Sequence, residues 1–146
     1  MTTRAAIAGH PIHPMLVPMP IGLWIFSLVS DFVFKSTADA RWDAAAYFTL
    51  GGGIVGALVA ALPGLVDLTG LREPAERRIG TIHLAINLAI VAIQAVNFWL
   101  RAQHGPGNLP VLISVAAVAA LIVSGWLGGH LVHVLGVTQP RSGSDR

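Results

Sequence analysis

The sequence Val111-Leu-Ile-Ser-Val-Ala-Ala-Val-Ala-Ala-Leu-Ile-Val-Ser-Gly-Trp-Leu-Gly-Gly-His-Leu-Val-His-Val-Leu135 contains no Asp, Glu, Lys or Arg. A helix of roughly 20 mostly apolar residues is long enough to cross the hydrocarbon core of a bilayer. Three more runs have this length and character, at about residues 15–34, 44–66 and 79–100. The sequence therefore predicts an integral membrane protein with four spanning helices.

The composition of the chain supports this class. Of the 146 residues, 54% are hydrophobic and only 11% are charged, whereas soluble domains carry about 25% charged residues. The formal net charge of +2 is too small to indicate a nucleic acid partner. Because the chain has no cysteine, disulfides, thiolate metal sites and covalently attached c-type haem are excluded. Any cofactor must be held by nitrogen or oxygen ligands.

Short polar connections join the four runs, at residues 35–43, 68–78 and 101–110. Connections of this length favour antiparallel neighbours. We therefore expect an all-α fold, an integral membrane antiparallel four-helix bundle, formed as one domain by residues 1–135. The tail, residues 136–146, contains Pro, Gly and Ser and is predicted to be disordered.

Lysine and arginine are unevenly distributed between the two sides of the predicted bundle. Both termini and the second connection share one side, which carries six of the nine basic residues. The other side carries Lys35, Arg41 and Arg101. Because cytoplasmic segments hold the excess of basic residues, both termini are expected to lie in the cytoplasm.

Histidine is concentrated at the predicted cytoplasmic end of the bundle. Five of the six histidines and one carboxylate belong to this end: His10, His13, His83, His130, His133 and Asp67. The His-Pro-Ile-His-Pro sequence of residues 10–14 restrains its two histidines, because each proline biases the residue before it toward extended conformations. Two imidazoles are therefore held at the start of the first span.

Helical phase indicates which polar side chains face the interior. One narrow arc of the third span contains His83, Asn87, Gln94 and Asn97. Polar groups within a membrane face the bundle rather than lipid, so His83 is expected to point inward. The stripe favours interhelical hydrogen bonding, with a proton path as the alternative. On the fourth span, Gly125, Gly128 and Gly129 leave room for a flat ligand, and this small face points more toward His133 than toward His130.

Two kinds of cofactor suit these side chains. A b-type haem takes two axial imidazoles, with His83 as one ligand and His130, His133 or His13 as the other. Asn87, Gly125 and Gly129 would support that site. A divalent or copper ion is the alternative, and its predicted ligands are His10, His13, His83 and Asp67.

A structural role is the rival interpretation, because the same histidines and Asp67 can form a hydrogen-bonded plug that fixes the packing of the helices. The topology brings no nucleophile, base and orienting acid together, so the chain has no hydrolase or transferase signature and no predicted catalytic residue. Asp31, close to Lys35, is assigned an interfacial or interhelical hydrogen-bonding role. Four tryptophans are expected in interfacial belts: Trp24, Trp42, Trp99 and Trp126.

Four segments carry a family resemblance: Gly-His-Pro-Ile-His-Pro-Met-Leu-Val-Pro-Met-Pro-Ile-Gly at 9–22, Ala-Leu-Pro-Gly-Leu-Val-Asp at 61–67, His83 with Asn87, and Gly-Trp-Leu-Gly-Gly-His-Leu-Val at 125–132. They resemble the bacterial membrane family known as domain of unknown function 2231, and the resemblance extends through all four spans. It implies a multi-pass protein of the bacterial inner membrane, in contact with lipid.

The resemblance also implies a functional context. Relatives in which such a domain is joined to Rieske-type or cytochrome c-type modules imply membrane electron transfer. Our hypothesis for the partner is a quinone or another redox protein, with a homo-oligomer as the assembly to consider. The matching positions are His10, His13, Asp67, His83 and His130. Because the family often has Tyr at position 133 and His at position 135, the resemblance favours His130 over His133 as a ligand.

Overall fold

The computed structural model describes residues 4–137, so most of the tail predicted to be disordered lies outside the described residues. Its elements are β1 Ala6–Ile7, β2 His10–Pro11, α1 Ile12–Leu16, α2 Pro18–Thr37, α3 Ala40–Gly70, α4 Pro74–His104 and α5 Asn108–His133. Four helical segments are long and apolar enough to cross a membrane, with α1 and α2 together forming the first. The prediction of an all-α membrane four-helix bundle is confirmed.

A short hairpin precedes the bundle. Strands β1 and β2 pair antiparallel, with Ala6 opposite Pro11 and Ile7 opposite His10. The turn between them consists of Ala8 and Gly9, both with positive φ (49° and 81°), as a two-residue hairpin of the primed type requires. The backbone N–H of Ile12 then donates to the carbonyl of Ala5, 3.0 Å away. The hairpin therefore sets the direction in which α1 begins.

The four long helices pack in chain order around a closed ring. The most extensive pairings are α2 with α3 and α4 with α5, while α3 with α4 and α2 with α5 complete the ring. Glycine allows the close approach of α2 and α3, since a Cβ on Gly53 would lie 2.4 Å from two ring atoms of Trp24.

An apolar layer crosses the middle of the bundle. It is formed by the buried side chains of Trp24, Leu50, Ile90, Ala117 and Leu121. Trp24 is only 2% exposed, and its indole N–H donates to the carbonyl of Leu50 at 3.2 Å. The prediction of an interfacial position is therefore wrong for Trp24, because the space left by Gly53 accepts its ring inside the bundle.

A buried ion pair joins α2 to α4 near the end of the bundle that carries Lys35 and Arg41, which we term the Lys35 face. Two guanidinium nitrogens of Arg101 donate to the two carboxylate oxygens of Asp31, at 2.6 and 2.7 Å. Both side chains are 3% exposed. Lys35, the expected neighbour of Asp31, instead donates to the side-chain oxygen of Asn108. The interhelical role predicted for Asp31 is correct, but its partner is Arg101.

A second ion pair of the Lys35 face lies at the surface. Asp39 caps the start of α3 by accepting from the backbone N–H of Arg41 at 3.0 Å, and its carboxylate also pairs with the Arg41 guanidinium. The side-chain hydrogen bond from Arg41 lowers the pKa of Asp39 below its ordinary value. Because the Arg41 side chain is 90% exposed, water screens this pair.

We predict that the Arg101→Met variant loses about 3–5 kcal/mol in free energy of unfolding, because Asp31 is left charged and buried without its partner. The double variant Asp31→Leu/Arg101→Met is expected to recover most of this loss, since it buries no charge. Unfolding in mixed detergent and SDS micelles, followed by circular dichroism, measures both values. Arg41→Met is the surface control and should leave the transition unchanged. A double variant as unstable as the single one would contradict the prediction.

Candidate functional site

His13 is held against α3 at the opposite end of the bundle, which we term the His13 face. Its Nδ1 lies 2.7 Å from the carbonyl oxygen of Ala60. A carbonyl only accepts, so Nδ1 carries the proton and donates. Gly64, one helical turn further along α3, provides the space for the ring, because a Cβ there would lie 2.9 Å from Nδ1. His13 lies inside α1 and not in the extended conformation that Pro14 was expected to favour, because the hairpin starts the helix at Ile12. Its restraint therefore comes from the packing of α1 on α3.

His83 is held against α5 in a similar way. Its Nδ1 lies 3.0 Å from the carbonyl oxygen of Ser124 and 3.1 Å from the hydroxyl of the same residue. Its Nε2 lies 3.2 Å from the amide nitrogen of Asn87, which also donates to the Ser124 hydroxyl at 2.6 Å. A Cβ on Gly128 would lie 3.3 Å from the ring. His83 is thus fixed in its tautomer, with Nδ1 protonated and Nε2 accepting.

The two rings form a pair across the bundle. The centroids of the His13 and His83 rings are 6.4 Å apart, and the ring planes are nearly perpendicular, at 88°. Each ring donates through Nδ1 to a backbone carbonyl, which leaves Nε2 as the nitrogen with a lone pair. Metal-bound histidines usually have this second interaction, because it fixes the ring and raises the basicity of the other nitrogen.

Other predicted site residues have different surroundings. His10 is exposed, and its Nδ1 lies 3.0 Å from the carbonyl of Ala8 within the hairpin. Asp67 accepts from the backbone N–H of Ala5 at 2.9 Å, so its carboxylate anchors the N-terminal segment to α3. In the last turn of α5, His130 is half-buried and His133 is exposed.

The structure also defines which predicted ligands come together. Within residues 4–137, no three side chains of His, Cys, Asp or Glu lie in a group that could hold a metal ion. The proposed set of His10, His13, His83 and Asp67 is therefore not assembled as one centre, whereas His13 and His83 are adjacent.

The small residues around the pair were only partly foreseen. Asn87 contacts His83 as expected. Of the three glycines of the predicted small face, Gly128 lies against that ring, while added Cβ atoms on Gly125 and Gly129 would meet open space. Sequence reasoning missed Ser124 and Gly64. The spacing of Ser124 and Gly128, four residues apart on one helix face, is the signal that could have found this contact surface.

Four apolar helices with a polar, histidine-containing end define a multi-pass membrane four-helix bundle. The family described as predicted membrane protein (DUF2231) matches residues 9–141, nearly the whole sequence, and the chain belongs to that family. No curated protein and no solved structure gave a significant match.

We predict that Gly64→Ala lowers the free energy of unfolding by about 1–3 kcal/mol, because the added methyl group displaces the His13 ring from the Ala60 carbonyl. An alanine in place of a helical glycine is ordinarily favourable, so the sign of this effect is diagnostic. Gly125→Ala is the matched control, and we expect it to be neutral or stabilising because its Cβ meets open space. Equal transition midpoints for the two variants would contradict the packing of His13 on Gly64.

Proposed function

We propose that this protein binds a b-type haem between His13 and His83 and takes part in electron transfer in the bacterial inner membrane. The observation that supports this proposal is the pairing of two imidazoles whose Nδ1 atoms both donate to backbone carbonyls. This arrangement leaves one nitrogen of each ring for a metal. When bound, haem would supply one-electron chemistry.

The donor set suits haem better than an ion held by protein ligands alone. A haem iron needs only two axial ligands from the chain, whereas a closed structural zinc site needs four. A divalent or copper ion therefore has less support, because the described residues offer no third ligand in the same group.

The surrounding residues would prepare the two rings for ligation. The Ala60 and Ser124 carbonyls orient the rings and fix their tautomers. Asn87 donates to the same nitrogen of His83 that a metal would take, so its amide would have to turn away on binding. Gly125 and Gly129 add no side chain to the nearby surface of α5.

The proposed location follows from charge. Four of the seven basic residues within 4–137 lie toward the His13 face: Arg4, Arg72, Arg77 and Arg78. This excess supports a cytoplasmic position for this face and for both termini. The electron partner would be a quinone in the membrane or another redox protein, reached from this face.

A structural plug is a second candidate function, and one observation favours it. Both ring nitrogens of His83 already have hydrogen-bond partners, so this side chain needs no metal to satisfy it. In this case the His83, Asn87 and Ser124 network would fix α4 against α5.

Absorption spectra of the protein, purified in detergent after expression with ample haem, test the first proposal. We expect a Soret band and, after reduction with dithionite, sharp α and β bands. His13→Ala and His83→Ala should each reduce the haem content at least tenfold, because each removes an axial ligand. His133→Ala and His104→Ala are controls on exposed histidines, and they should retain the wild-type spectrum.

The same samples distinguish the two candidates. Colourless wild-type protein without metal, together with a lower unfolding midpoint for His83→Ala, would overturn haem binding and support the plug. A haem spectrum that persists in His13→Ala but is lost in His130→Ala would overturn the proposed pair and restore His130 as the partner of His83.

A further inference from the structure

Polar side chains continue inward from the buried ion pair of the Lys35 face. The Arg101 Nε–H donates to the Asn97 side-chain oxygen at 3.2 Å, and another guanidinium nitrogen contacts the Ser114 hydroxyl at 3.3 Å. Asn97 in turn donates to Ser114 at 2.9 Å and to the Gln94 side-chain oxygen at 3.2 Å. A connected polar path therefore extends from Arg101 to Gln94.

Two fully buried polar atoms near this path lack partners. The Ser30 hydroxyl and the Gln94 amide nitrogen make no hydrogen bond to any atom of residues 4–137, although both side chains are 0% exposed. A buried polar group without a partner costs about 1–3 kcal/mol, and ordered water commonly supplies the missing bond. Water is the small hydrogen-bonding ligand that would satisfy both atoms.

A groove links the outer end of the polar path to the surface. It has a volume of about 350 Å³ and lies between the start of α3 and the end of α4. Asp43, Tyr47, Gly105 and Arg101 contribute to its walls. The groove therefore brings the aqueous side of the Lys35 face up to Arg101, whose side chain is 3% exposed.

The apolar layer closes the inner end of the polar path. Ile90, 1% exposed, lies between Gln94 and Asn87 on the same face of α4. Asn87 belongs to the hydrogen-bonded network of His83, on the far side of this layer. Asn87 and Gln94 are seven positions apart on α4, a rise of about 10 Å. One apolar layer therefore separates two polar networks.

We propose that the Lys35-face half of the bundle is a hydrated proton inlet, which begins at the groove, passes Arg101 and ends at Gln94, where the Ile90 layer seals it. Its ligand is water, held by Ser30, Gln94 and the side chains of the ion pair. Ser30 and Gln94 are fully buried, so a hydrated ion cannot pass them. Protons can still move along the hydrogen bonds of the water that they hold. This inference does not depend on haem, because it concerns the opposite half of the bundle.

Infrared spectroscopy of single thiols tests the inlet in a chain that has no cysteine of its own. In Ser30→Cys we expect the S–H stretch to convert to S–D within minutes of transfer into D₂O. Ala117→Cys is the matched control, since its position is also small and 1% exposed but lies in the apolar layer. Its exchange should be at least tenfold slower. Protection of the Ser30→Cys thiol would overturn the inlet, and fast exchange of both thiols would overturn the seal.

Proton flux tests whether the seal is a single layer. In liposomes with an entrapped pH indicator and an imposed potential, Ile90→Asn should admit protons at least tenfold faster than wild type, because it joins Asn87 to Gln94. Ile93→Asn is the control on the same helix, at a position that is 44% exposed toward lipid. If Ile90→Asn is folded by circular dichroism and conducts no faster than Ile93→Asn, the single seal is wrong. If it does not fold, thiol exchange alone decides the proposal.

Discussion

The bilayer supplies no hydrogen-bond partners, and this constraint accounts for most of the contacts in the bundle. A polar side chain in a spanning helix must find its partner on another helix or on the backbone. Asp31 meets this requirement with Arg101, and His83 meets it with the Ser124 carbonyl. These contacts fix α2 against α4 and α4 against α5, so they select one arrangement of the bundle from the several that apolar surfaces alone would allow.

The interior is consequently divided by polarity along its length. Charged and amide side chains fill the half near Lys35, imidazoles lie at the other end, and the layer around Ile90 separates them. The layer thus keeps the hydrogen-bonded network of Arg101 apart from that of His83 along the bundle axis.

The fold could be predicted from the sequence, because four long apolar runs joined by short connections allow few arrangements of the helices. The inward direction of His83 could also be predicted, since a polar stripe on one helix is a local pattern. Other features depend on contacts between distant segments, which no local pattern encodes. The burial of Trp24 depends on the space at Gly53, and the partner of Asp31 is 70 residues away. Haem ligation remains a prediction.

Each of the two histidines donates to a carbonyl on a helix that is synthesised later, and this order matters for biogenesis. His13 leaves the ribosome early, but its acceptor at Ala60 follows one helix later. His83 in turn must wait for Ser124 on the last helix. His13 can therefore be oriented once the second span has packed, whereas His83 can adopt its final orientation only after all four spans have been inserted. Quality control that recognises unsatisfied polar groups within the membrane would thus detect a chain that stops after three spans, because its His83 is left without an acceptor.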